Sequence, residues 1–216
     1  IHDRIYLLND RFDLFDIEIF GAEALLASLE KQPGALLIGA HLGSFEVLRA
    51  VGRGRAGLKV AMLMYEENAR KINATLEAIN PAATEDIIAL GRMESMLEAR
   101  DKLDQGYLVG MLADRGLGDD ATVDCDFLGE MAPFPSGPFR MAAMLRRPVF
   151  FMAGLYLGGN RYQIHFEPLA DFSETPRAER EAAMRAAQLR YAERLSHFCR
   201  LAPYNWFNFF DFWRKK

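Results

Sequence analysis

The chain has 216 residues, of which 50% are hydrophobic and 26% charged. That length and balance describe a globular chain, with one domain and a full core, or at most one domain and an appendage. A net charge of −4 gives no general attraction to nucleic acid, and no stretch approaches the ~18 unbroken apolar residues of a membrane span. Cys125 and Cys199 stand far apart without a second ligand at metal spacing, as expected of two reduced thiols in a cytosolic setting. Phe12–Gly21 alternates apolar and acidic residues and reads as a strand with one wet face, followed by a helix over Ala22–Lys31 that stops at Pro33-Gly34. Ala35–Ala40 is a short apolar strand ending at His41. Leu42 and Gly43 make a turn, and Ser44 is placed to cap a helix through Val51. A glycine loop carrying Arg53 and Arg55 leads to a strand over Leu58–Met64 and a helix over Glu66–Ile79.

Asp86–Leu90 reads as a strand and Met93–Leu103 as a helix. Tyr107–Ala113 is a buried strand that delivers Asp114 and Arg115 at its end. Val123–Leu128 is a further strand, and Pro133–Pro138 reads as a loop in which Ser136 caps a helix over Gly137–Leu145. Pro148–Tyr156 and Tyr162–Phe166 form a strand pair around Gly158-Gly159-Asn160, and Glu179–Cys199 is a long helix. Strands alternating with helices through the first two-thirds predict an α/β fold with a mixed, mostly parallel sheet covered on both faces by helices. No linker or repeat divides the chain, so residues 1–216 read as one domain.

Chemistry concentrates where strands end, since the carboxyl edge of an α/β sheet is where sites form. His41 closes one apolar strand and Asp114 another, while Glu46 follows His41 at a five-residue offset across a turn. A carboxylate beside an imidazole fixes its tautomer and raises its basicity, which makes His41 a candidate general base. The same residues also describe an ordinary strand–turn–helix joint, with Glu46 suiting the helix dipole. No GxSxG elbow occurs, and Asp124 and Asp126 flank Cys125 in a way that disfavours a thiolate. The set is therefore a base without a protein nucleophile, suited to deprotonating a bound hydroxyl. Arg146 and Arg147 suit a helix C-terminus, His165 suits a strand, and His2 and His197 read as surface residues.

HLGSFE (His41–Glu46) resembles the H-x4-D/E motif of membrane-lipid acyltransferases. ALLIGAHLGSFEVL, QGYLVGMLADRG, the run from VDCDFLG to GPFRMAAMLRRPVFF, and the close NWFNFFDFWRKK follow one another in the same order as in the late acyltransferases of bacterial lipid A biosynthesis. These are the lauroyl/myristoyl transferases, with relatives acting on phosphatidylinositol mannosides. The likeness covers most of residues 15–216. Two positions depart from the family pattern: Arg115 stands where Gln is usual, and the phosphate-binding Arg has only Arg92, with Arg70 as a rival, as a counterpart.

The resemblance implies a single domain of the glycerolipid-acyltransferase type working at the cytoplasmic face of a bacterial inner membrane, with the amino-terminal apolar helix that normally tethers the family expected to be missing from residues 1–216. It implies O-acyl transfer from an acyl thioester, on acyl carrier protein or coenzyme A, to a hydroxyl of a membrane glycolipid such as a lipid A precursor. No cofactor is needed. The catalytic set would be His41, Glu46 and Asp114, with Glu46 or Asp114 holding the imidazole and Gly43, Ser44, Arg92 and Arg115 binding substrate. The backbone N–H groups around Gly43–Phe45 would stabilise the tetrahedral oxyanion. A thioesterase-like hydrolase on the same fold, or a silent subunit that binds lipid or carrier, are the alternatives. The aromatic tail would meet the membrane surface, its rings at the acyl entrance and its basic end toward anionic lipid.

Overall fold

The structure, a computed structural model, describes residues 2–44, 58–65, 86–91, 93–116, 120–209 and 211–213. The expected helices over Ser44–Val51 and Glu66–Ile79, together with Glu46, Arg92 and the glycine loop, lie outside the described residues. A short helix α1 (His2–Leu8) precedes strand β1 (Asp16–Phe20), helix α2 (Ala22–Lys31) and strand β2 (Ala35–Gly39). Next come β3 (Val60–Tyr65), β4 (Asp86–Leu90), α3 (Met93–Asp104) and β5 (Leu108–Leu112). A hairpin of β6 (Thr122–Phe127) and β7 (Glu130–Pro135), helix α4 (Gly137–Leu145), strands β8 (Pro148–Tyr156) and β9 (Arg161–Asp171), and the long α5 (Arg180–Leu201) complete the series.

Seven strands form one sheet in the order β1-β9-β8-β2-β5-β3-β4. Every pairing is parallel except β8 with β9, so the expected mixed, mostly parallel α/β sheet is present. β2 lies at its centre with all five residues buried, which is why its sequence is a continuous apolar run rather than an alternation. Successive side chains of a strand face opposite ways, and the core divides accordingly. Leu36, Ile38, Val109, Met111 and Phe151 pack under α4, α5 and the hairpin. Ala35, Leu37, Leu108, Phe150 and Met152 pack on the other face, with Leu7 of α1 and Leu25 of α2.

Three expectations need correction. Residues 133–135 are not loop but the end of β7, paired with Thr122–Asp124. A two-stranded ribbon leaves each strand an unpaired edge, and prolines are tolerated there. Leu128 and Gly129, both at positive φ, make its two-residue turn. Ser136 holds the N-cap position of α4 but makes no side-chain cap bond, and its hydroxyl donates to the Ala121 carbonyl at 2.7 Å. β9 continues to Asp171, five residues beyond the expected end, and α1 had no counterpart among the expected elements.

Candidate active site

β2 and β5 are adjacent, parallel and in register, with Gly39 opposite Leu112. Two residues further on, the same register sets His41 beside Asp114. Ala113 N–H donates to the Gly39 carbonyl at 3.0 Å, carrying the alignment past the last ladder pair. The Tyr191 hydroxyl of α5 donates to that same carbonyl at 2.8 Å and anchors the strand end from below. His41 Nδ1 lies 2.9 Å from Asp114 Oδ1. The Asp114 side chain is fully buried, whereas the His41 side chain is 38% exposed. With Nδ1–H donating to the carboxylate, Nε2 carries the lone pair and is the nitrogen that can face a substrate.

A buried carboxylate needs partners. Asp114 Oδ2 accepts from Trp206 Nε1–H at 3.4 Å, and Arg115 Nε lies 4.0 Å away. The negative charge also acts on α5. Burial first, then Asp114, push the Tyr191 hydroxyl well up and the Cys199 thiol up to about 12, so both stay neutral under the site. The Cys125 thiol is also pushed up, by burial ahead of the neighbouring Asp124, which disfavours a thiolate there.

The turn after His41 is fixed by glycine. Gly43 sits at φ +71°, and a β-carbon there would fall 1.9 Å from the Gly154 carbonyl oxygen. This close approach lets Ser44 N–H donate to Gly154 O at 2.7 Å, while Gly43 N–H donates to Asn205 O at 2.8 Å. Both amides were candidates for stabilising an oxyanion. They are instead committed to neighbouring backbone, because the turn is stitched between β8 and the carboxyl-terminal segment. Phe45, the third candidate, lies outside the described residues.

Of the seven residues singled out in the sequence, the structure brings His41 and Asp114 into direct contact. Gly43 and Ser44 border a groove of about 890 Å³, with Tyr156, Leu157, Tyr204 and Phe207 among its other walls. Arg115 turns to the carboxyl-terminal segment and donates from Nη2 to the Phe207 carbonyl. Glu46 and Arg92 are not among the described residues. Trp206 at the Asp114 carboxylate was not anticipated. Its signal was present in the sequence, as one of only two indoles and hence the rare N–H donors among the tail's phenyl rings.

The described residues contain no cluster that could hold a metal ion, and no described helix is long and apolar enough to cross a membrane. What the arrangement can do is take a proton from a bound hydroxyl. No curated protein matches the chain. The sequence profile of the bacterial lipid A biosynthesis acyltransferases matches residues 8–215, nearly its whole length, and the chain belongs to that family of acyltransferases.

Proposed function

We propose that this acyltransferase moves a fatty acyl group from a thioester on acyl carrier protein or coenzyme A to a hydroxyl of a membrane glycolipid of the lipid A type, with His41 as general base. The observation that carries the reading is the 2.9 Å contact between His41 and buried Asp114 at two neighbouring strand ends. His41 Nε2 removes the proton of the acceptor hydroxyl, and its oxygen attacks the thioester carbonyl carbon. The imidazolium is held by Asp114 through Nδ1–H. Collapse of the tetrahedral intermediate breaks the carbon–sulfur bond, and Nε2–H returns the proton to the departing thiolate. The groove beside Gly43 and Ser44, walled partly by leucine and aromatic side chains, suits an acyl chain. Its rim at Phe207 and Tyr204 continues into exposed Phe209, which fits an entrance opening toward lipid at the inner-membrane surface.

The test follows free-thiol release from acyl-CoA and from acyl carrier protein thioester, with and without a lipid hydroxyl acceptor. Acceptor-dependent release is expected, and His41→Ala should lower it by about 10²–10⁴-fold with an unchanged thermal midpoint. A folded His41→Ala protein that keeps more than half its activity refutes the base assignment. Release that ignores the acceptor points to a hydrolase instead.

A further inference from the structure

The carboxyl-terminal segment runs alongside the turn that carries His41, as a short antiparallel partner. Leu42 and Trp206 form a bridge, and two backbone bonds flank it: Gly43 N–H to Asn205 O and Phe207 N–H to His41 O, each 2.8 Å. The segment is itself fastened on both sides. The Asn205 side chain accepts from Tyr156 N–H at 2.7 Å and donates to the Tyr156 carbonyl at 3.0 Å, and Arg115 donates to the Phe207 carbonyl. The Trp206 ring is locked in place by Phe127 and Phe212, with ring centroids at 5.1 Å from each. A chain held at so many points delivers one indole N–H to Asp114 Oδ2, the oxygen that His41 does not use.

We propose that Trp206 is a positioning residue for acyl transfer: its indole N–H fixes the Asp114 carboxylate so that the other oxygen stays on His41 Nδ1. This rests on the assignment of His41 as base. The aromatic packing alone explains a Trp no better than a Phe at this place, because phenyl rings already fill the surrounding cluster. What a Phe lacks is the donor. Without it the carboxylate is free to rotate away from the imidazole, and a misplacement of this kind in a catalytic pair costs rate rather than affinity.

Among the described residues, the groups facing Asp114 are His41 just after β2, Arg115 beyond its own strand, Trp206 from the tail, and Tyr191 and Cys199 from α5. Tyr191 and Cys199 are pushed upward by burial and then by Asp114, and stay neutral beneath the carboxylate. The indole is thus a neutral donor on the oxygen that the imidazole does not use.

Trp206→Phe should lower kcat about tenfold and leave KM for the acyl thioester within about twofold. Replacement of Trp206 by benzothienylalanine keeps the bicyclic shape and removes only the N–H, so it should reproduce this loss of kcat at unchanged KM with the parental thermal midpoint. The isostere decides the matter if Trp206→Phe does not fold. A benzothienylalanine protein with parental kcat overturns the role of Trp206, even where His41→Ala is inactive. An active His41→Ala protein overturns the base assignment instead, so the two failures are distinct.

Discussion

Gly43 shows how a single hydrogen atom in place of a side chain sets up the turn that carries His41. Two costs meet there and can be separated by comparison with Gly106, which has a similar φ of +83° but nothing within 4 Å of where a β-carbon would sit. Both positions ask an L-residue to adopt left-handed backbone, worth about 1 kcal/mol for alanine. Only Gly43 adds a clash with backbone, at Gly154 O, which cannot swing aside as a side-chain end could. Gly106→Ala should therefore lose about 1 kcal/mol in a urea titration and keep its transfer activity. Gly43→Ala should lose at least about 2 kcal/mol and most of its activity, since the Ser44–Gly154 bond and the seat of His41 move with it. Equal losses for the two variants would show that the turn has room to adjust. His41 and Asp114 were legible in the sequence because each follows an apolar run of strand length. Their contact depended on strand order and register, which one sequence does not contain.

At the scale of elements, what could be read followed burial. β2 and α2 were found because a fully buried strand and a one-sided helix carry strong patterns. β7 was hidden by Pro133 and Pro135, since EMAPFP offers loop residues to local reasoning and only pairing with β6 makes it a strand. The far end of β9 was hidden for a similar reason, since Pro168 interrupts it where the ladder with β8 shifts register. β9 also carries an element-level liability at its contact with α5. His165 stacks on Phe20 and lies 4.8 Å from the Phe198 ring, and its Nε2 is buried with no hydrogen-bond partner among the described residues. Glu18, Glu167, Arg194 and His197 face it, and burial outweighs the two carboxylates and lowers its pKa. A histidine held neutral in the fold takes up its proton more readily when unfolded. Stability should be fully present above the ordinary histidine value of about 6.5 and decline as pH falls from there toward the folded-state value. His165→Phe should flatten the stability difference between pH 8 and pH 5.5 measured by urea denaturation. If parent and variant lose stability in parallel over that interval, the acid sensitivity resides elsewhere.

Taken as a whole, the molecule uses its aromatic tail in two directions. Phe212 is 5% exposed and packs on Phe127 and Phe134, and Trp206 and Trp213 close over the same cluster, so half the tail is core. A deletion of residues 208–216 would strip Phe212 and Trp213 from the core and cannot isolate a surface role. Other rings face outward: Tyr204 is 96% exposed and Phe209 89%, near the groove that borders the Gly43 turn. In sequence the same segment runs on to Arg214, Lys215 and Lys216. Large rings left in water, followed in sequence by basic residues, are suited to a bilayer interface, with rings among headgroups and cations near anionic lipid. Phe209 touches neither the dyad nor the groove, which makes it the place to separate anchoring from chemistry. Phe209→Ser should keep the parental thermal midpoint and the parental rate on a short, soluble acyl thioester. Its binding to vesicles containing anionic lipid should weaken about tenfold, in keeping with losing part of the burial energy of one phenyl ring. Transfer to a bilayer-embedded acceptor should fall with it and recover at higher vesicle concentration. Undiminished vesicle binding by the Phe209→Ser protein would mean that this outward face does not meet the membrane.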